Sequence, residues 1–163
     1  CLFKNMNFTD RYFIICGNGT DYYKLERFFL QEKPWNMRLI NGLPKQDYDE
    51  LVSACDIGLI FLDHRFTIPN FPCRLLSYME NAMGVLACTD SNTDIGRVIE
   101  DGSFGWWCES NDENRFTDIV NNICENQFAL KQIKANARDY LEKNYTVKKS
   151  YQIIMKHFIN EKM

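Results

Sequence analysis

Histidine is scarce in this sequence: two residues, His64 and His157, in a chain of 163. They lie far apart, and neither has cysteine or carboxylate neighbours at metal-ligand spacing, so no zinc site and no metal are expected. Seven cysteines (Cys1, Cys16, Cys55, Cys73, Cys88, Cys108, Cys124) form an odd set without a CxxC pair. Most sit inside apolar runs, which reads as small core residues in a reducing compartment rather than a disulfide scaffold. There is no basic cluster. With 19 Lys+Arg against 22 Asp+Glu the formal charge is -3, and the lysines are scattered, so a nucleic-acid surface is not expected and any anion must be met by a local site. No apolar run approaches the roughly 18 residues of a membrane span, and no signal-peptide pattern is present; the expectation is a soluble, cytoplasmic chain. Neither a GxSxG elbow nor a P-loop occurs, which argues against hydrolase and ATPase chemistry. No repeat, low-complexity tract or linker divides the chain.

What is present is core-forming material: 45% hydrophobic and 14% aromatic residues, enough for one domain of ordinary size. Short apolar runs, "YFIIC" (12–16), "MRLI" (37–40), "IGLIFL" (57–62), "GVLAC" (84–88) and "FGWWC" (104–108), alternate with segments of helical period. Such alternation predicts βαβ units: a Rossmann-like, doubly wound, mostly parallel sheet with helices on both faces. The helical stripes are Tyr22/Leu25/Phe28/Phe29, Tyr48/Leu51/Val52/Cys55 and Leu75/Tyr78/Met79/Ala82, each able to cover one face of the sheet. A short helix ends at Gly102, and Phe116/Ile119/Val120/Ile123 mark another. Two more span Leu130 to Leu141 and Tyr151 to Phe158, as a C-terminal helical extension. His157 is expected to pack on the apolar side of the last of these. Trp106 and Trp107 alternate faces of a strand, which packing explains.

In open parallel sheets ligands collect beyond the carboxyl ends of the strands, so the strand-to-helix loops hold the candidates. The first, "CGNGTDYY", places Gly17, Asn18 and Gly19 directly after a strand. A dinucleotide fingerprint needs a third glycine where Tyr22 stands and an acidic residue closing the next strand, where Asn41 and Gly42 follow; the NAD reading fails at both. Gly17 and Gly19 serve either ligand contact or a tight turn at positive φ. In the second loop Gly42 bares the backbone beside Asn41 and Leu43, and Pro44 suits a helix entry. The third loop, "HRFTIPNFPC", is ten residues long, and long loops are more often functional. It ends in Asn70, Phe71, Pro72 and Cys73, and then Arg74 opens a helix. The amides of Cys73, Arg74 and Leu75 are expected to point outward, offering an anion backbone donors and a guanidinium. Arg74, Ser77 and Asn81 form a polar face; the competing reading pairs Arg74 with Asp63. His64 sits in the same loop and is a candidate sugar contact. In the fourth loop Asp94 is first a helix cap, and second a candidate contact to a sugar hydroxyl.

Four segments in this order, "YFIICGNGTD", "MRLINGLPKQDYDELVSACDIGLIFL", "IPNFPCRLLSYMENAMGVLAC" and "TDIGRVIEDGSFGWWCESND", resemble the C-terminal, donor-binding domain of GT-B glycosyltransferases of family 4, in the branch that builds bacterial capsular and O-antigen polysaccharides. The resemblance implies one half of a GT-B enzyme: a retaining, metal-independent transferase of hexosyl or N-acetylhexosaminyl type, needing no cofactor. Its donor is a nucleotide-diphosphate sugar, UDP favoured, and its acceptor a growing polysaccharide or lipid-linked saccharide. It places Gly17, Asn18 and Gly19 in a glycine turn on the donor, Asn41, Gly42 and Leu43 near the nucleobase, and Pro72-Cys73-Arg74 at the diphosphate. Two glutamates eight positions apart in many members correspond here to Pro69 and Ser77, and the usual GxP to Ala82-Met83-Gly84. The acceptor-binding domain and the first strand of this domain have no counterpart, so residues 1–163 read as a fragment, inactive alone, whose first seven residues close a preceding helix. Membrane contact is then expected only through the other domain, at the inner face of the membrane. The alternative is a non-catalytic Rossmann-like module that binds a nucleotide or sugar phosphate; a third reading is a structural interaction domain.

Overall fold

The computed structural model describes residues 1–68 and 70–160. Its backbone forms β1 (Phe13–Cys16), α1 (Tyr22–Glu32), β2 (Met37–Ile40), α2 (Lys45–Ser53), β3 (Ile57–Phe61), α3 (Arg74–Glu80), β4 (Gly84–Thr89), α4 (Ile95–Gly102), β5 (Gly105–Glu109), α5 (Glu113–Glu125), α6 (Gln127–Asn144) and α7 (Val147–Asn160), after a 3-10 turn at Leu2–Asn5. All five strand segments and all seven helices fall where the hydrophobic periodicity puts them. The strands pair in parallel, as the βαβ reading requires, but in two sheets rather than one: β1-β2, and β3-β4-β5. The chain divides into two compact units, Cys1–Ala54 with Asp112–Asn126, and Cys55–Asn111 with Gln127–Met163.

In the first unit, β1 and β2 run from Phe13↔Met37 to Cys16↔Ile40. All four stripe residues of α5, Phe116, Ile119, Val120 and Ile123, are buried. The stripe of α1 does not behave alike: no residue of that helix is buried, and it packs on β2 of a two-stranded sheet, a narrow surface to cover it. A polar clamp holds the N-terminal turn. The Arg11 side chain, 7% exposed, donates to Asn5 Oδ1 and Asn121 Oδ1 at 2.8 Å each and pairs with Asp10. Buried Asn36 donates to the Asn5 carbonyl at 2.9 Å and accepts from the Asn7 amide at 2.9 Å. Buried amides thus find partners, as they must.

In the second unit β4 is the centre. All six of its residues are buried, the expected pattern for the middle strand of a covered parallel sheet. Its register is Ile57↔Gly84 to Phe61↔Cys88 on one side and Val85↔Gly105 to Thr89↔Glu109 on the other. Helices α3, α4 and α6 pack here. Leu75 and Met79 of α3 are fully buried, and the Tyr78 ring lies on Gly58, where an added Cβ would stand 2.2 Å from Tyr78 Cδ2. Gly96 plays the same part for α4 against Trp107, whose indole donates to Thr89 Oγ1 at 2.8 Å. Gly102 is the last residue of α4, and the left-handed residue is Ser103, at φ 48°.

The cysteines divide. Cys88 and Cys108 are buried with their Sγ atoms 3.6 Å apart, so the other thiol and burial push the Cys88 thiol pKa up. Cys1, Cys16, Cys55 and Cys124 are only half-buried and Cys73 is exposed, which corrects the reading of most of the seven as core residues. His157 is also exposed, contrary to the expectation that it packs: among the described residues no element covers residues 156–158.

Candidate functional site

The candidates from the first two loops meet within the first unit. The strand ladder continues through the Gly17 amide, which donates to the Ile40 carbonyl at 3.0 Å; the Gly42 amide donates to the same carbonyl at 3.0 Å. Gly42 takes φ 69°, a left-handed conformation that favours glycine, and the Asn18 side-chain amide lies 3.5 Å from where its Cβ would be. Gly17 and Gly19 are not at positive φ, which corrects the tight-turn reading. A Cβ at either would meet nothing within 4 Å. Neither backbone strain nor packing requires glycine there; what the two residues leave is open space at the strand end. The loop closes through Tyr22 N–H on the Gly19 carbonyl at 2.9 Å. Pro44 takes the N-cap position of α2, and its carbonyl accepts from the Tyr48 amide at 2.9 Å, so the helix-entry reading of that proline holds. Leu43 is half-buried and Asn41 exposed.

In the second unit the long loop leaves β3 through Leu62, whose amide donates to the Cys88 carbonyl at 2.9 Å. Asp63 then organises a turn. Its Oδ1 accepts the Arg65 amide and Nε at 2.9 Å each, and the Phe66 amide donates to its carbonyl at 2.9 Å. Hydrogen bonds from the Arg65 side chain, then from its amide, hold the Asp63 carboxyl well below the usual carboxylate range. His64 Nδ1 stands 3.6 Å from the same carboxylate and is about half exposed.

Asp63 is therefore engaged by Arg65, not Arg74. Among the described residues Arg74 is exposed and in no ion pair or hydrogen bond. Of the three amides offered with it, Leu75 N–H donates to the Pro72 carbonyl at 2.9 Å, which corrects its expected outward aim. The chain enters α3 through a tight turn, and Pro72 stands two residues before the helix. Asn81 is likewise corrected. Its Nδ2 and its amide both donate to the Ser77 carbonyl, at 2.9 and 3.2 Å, closing the helix C-terminus instead of extending a ligand face. Ser77 is half-buried, Asn70 half-buried, Phe71 37% exposed. Pro69, matched to one family glutamate, lies outside the described residues.

Two features were missed from the sequence. Phe71 packs against Tyr145 at the end of α6, ring centroids 5.6 Å apart, and Tyr145 against Tyr140 at 6.1 Å. Burial, then Tyr140 and Asp94, push the Tyr145 phenol pKa up. The other is Asp90. This buried residue accepts from the amides of Asn92 and Thr93 at 2.8 and 2.9 Å and from the Thr93 hydroxyl at 2.7 Å. The Thr93 hydroxyl, above all, lowers its carboxyl pKa. Asp94 occupies the N-cap position of α4 but its side chain makes no cap bond, leaving the carboxylate exposed. Asn92 Nδ2 donates to the Phe66 carbonyl at 3.1 Å and so ties the two loops together. The spacing Asp90-x-x-Thr93, a side chain satisfying amides two and three residues on, is a sequence signal that could have found this turn. Among the described residues no three His, Cys, Asp or Glu side chains gather as a metal site requires, and no helix is long and apolar enough to cross a membrane.

Comparison with known proteins places this geometry. Residues 2–140 match the family described as glycosyl transferases group 1. A probable glycosyltransferase of Pseudomonas aeruginosa, WbjE, is 24% identical over 134 residues, 82% of this chain and 33% of that protein; the chain thus spans about a third of the length of this relative. Anabaena HepE, solved in complex with UDP, superposes with a TM-score of 0.72 at 19% identity, over 92% of this chain and 41% of that one. WaaG, a glycosyltransferase involved in lipopolysaccharide biosynthesis, gives 0.64 at 17% identity, over 82% and 34%. These neighbours share the GT-B fold half described above. With the family matched over most of its length, the chain belongs to the glycosyl transferases group 1 family.

Proposed function

We propose that this chain is the nucleotide-sugar-binding half of a retaining, metal-independent glycosyltransferase that uses a UDP-sugar. It transfers a hexosyl or N-acetylhexosaminyl group to a saccharide or lipid-linked saccharide acceptor in the building of a cell-surface polysaccharide. The UDP preference is supported by HepE, solved with UDP and with UDP-glucose. The polysaccharide role is supported by WaaG.

The observation that carries the reading is Arg74: a cation at the head of α3, exposed and unpaired among the described residues, beside the Cys73 and Arg74 amides, which meet no carbonyl among the described residues. As the bond from the anomeric carbon to the phosphate oxygen breaks, negative charge grows on the leaving diphosphate. The guanidinium with the Cys73 and Arg74 amides is assigned to that charge, and one such donor is typically worth about 3 kcal/mol in the transition state. Pro72, Asn70 and Phe71 shape the turn that presents them. Asn41, Gly42 and Leu43 are assigned to the nucleobase, Gly17, Asn18 and Gly19 to close backbone approach, and His64 and Asp94 to the sugar. Ser77 takes the place of a ribose-binding glutamate, as a weaker hydrogen-bond partner. Arg74→Ala in the active enzyme is expected to lower kcat by about a hundredfold; unchanged kinetics overturns the assignment.

A further inference from the structure

The long loop after β3 is held at its two ends by different means. Its far end is fixed by the Phe71 ring on Tyr145, with centroids 5.6 Å apart, and by Leu75 N–H on the Pro72 carbonyl. Its near end is a closed turn: the Phe66 amide donates to the Asp63 carbonyl at 2.9 Å, and Asp63 Oδ1 accepts the Arg65 amide at 2.9 Å. His64 stands at the second position of this turn and is carried by it. Its Nδ1 lies 3.6 Å from Asp63 Oδ1, which leaves Nε2 as the nitrogen to meet a sugar hydroxyl. The turn is tied to the unit on both sides, each time from β4 or the residues just after it. Leu62 N–H donates to the Cys88 carbonyl at 2.9 Å, and Asn92 Nδ2 donates to the Phe66 carbonyl at 3.1 Å.

Asn92 itself stands on a fixed support. Buried Asp90 accepts the amides of Asn92 and Thr93 and the Thr93 hydroxyl. The Asp90 carbonyl accepts the Thr89 hydroxyl at 3.1 Å, and that hydroxyl accepts from the Trp107 indole at 2.8 Å. With the backbone of residue 92 already pinned, only the short Asn92 side chain is ordered when its amide reaches Phe66, which costs little entropy. We propose that Asn92 is a positioning residue for donor recognition: by holding the Phe66 carbonyl it sets the 63–66 turn, and through that turn the place of His64 against the donor sugar. The proposal rests on the donor-binding reading, in which His64 meets the sugar and Arg74 the diphosphate. Because the Phe71 and Leu75 contacts hold the Arg74 end of the loop by themselves, loss of the Asn92 bond acts on the sugar and not on the diphosphate.

The chain is titrated calorimetrically with UDP and with UDP-glucose, beside Asn92→Ala, His64→Ala and the double variant. Asn92→Ala is expected to weaken UDP-glucose binding by about fivefold, the effect of one lost hydrogen bond, with UDP affinity and melting temperature as in the parent. In the His64→Ala background the same change is expected to cost nothing further, because it acts through that side chain. UDP-glucose affinity unchanged by Asn92→Ala, an equal loss for UDP and UDP-glucose, or a loss that persists in full without His64 each overturns the positioning role and leaves the diphosphate site standing. A parent that binds neither ligand overturns the donor-binding reading itself, and this proposal with it.

Discussion

Replacing Gly58 by alanine tests how α3, and with it Arg74, is seated. The added Cβ would lie 2.2, 2.3 and 2.6 Å from Cδ2, Cγ and Cε2 of Tyr78, where carbon atoms need roughly 3.5–4.0 Å. Tyr78 is 9% exposed, on a helix whose Leu75 and Met79 are fully buried, so the ring cannot swing into solvent without lifting the helix. Overpacking of this kind costs about 1–3 kcal/mol. Displacing the ring also breaks the bond from Tyr78 Oη to the Leu59 carbonyl, at 3.2 Å, worth about 1 kcal/mol. The sum, about 2–4 kcal/mol, corresponds to a fall in Tm of roughly 4–16 °C for a domain of this size. Differential scanning calorimetry reads it, with Tyr78→Ala as the partner in a double-mutant cycle. In that background Gly58→Ala is expected to cost far less, because its obstacle is gone. A Gly58→Ala protein melting within a degree of the parent, or a cost undiminished by Tyr78→Ala, would refute the packing described.

Other expectations follow from the loops. Asp90 has a lowered carboxyl pKa, so its ionised form contributes stability above the unfolded carboxylate value of about 3.9, lost as pH falls through the lower folded value. Asp90→Asn is expected to remove part of the acid-side loss of Tm below about pH 4; an unchanged pH profile would contradict the buried turn. Tyr145→Ala is expected to loosen the segment that Phe71 anchors and raise the rate of tryptic cleavage after Arg65 and Arg74, while Tyr145→Phe, which keeps the ring, leaves it unchanged. Equal cleavage in all three proteins would show that the ring contact does not hold the loop.

The architecture was legible because period and composition were clear: β4 is a run of apolar residues with no polar side chain before Thr89, and α5 buries all four residues of its stripe. The stripe of α1 misled, since a hydrophobic face records a preference for burial without saying how much sheet exists to bury it. The exposure of Arg74 at the head of α3 was legible, and the aim of the neighbouring amides was not. Whether Leu75 N–H is free depends on the turn at Pro72, and that turn is set by backbone angles that neither residue fixes alone. In "TDSNTD" two aspartates compete for one helix start; the inner, Asp90, took the loop amides and left Asp94 exposed. Phe71 and Tyr145 meet across 74 residues of sequence, a contact no local pattern encodes. The tight-turn reading of Gly17 and Gly19 fails because neither is at positive φ, and a Cβ at either would meet nothing within 4 Å.

The most direct test of the central claim is a calorimetric titration of the chain and of Arg74→Ala with UDP, GDP and a nicotinamide cofactor. The expected result is saturable UDP binding by the parent, weakened by about tenfold or more in Arg74→Ala, and no heat with the nicotinamide cofactor. Silence toward both nucleoside diphosphates, or UDP affinity that Arg74→Ala leaves unchanged, would contradict a diphosphate site at the head of α3.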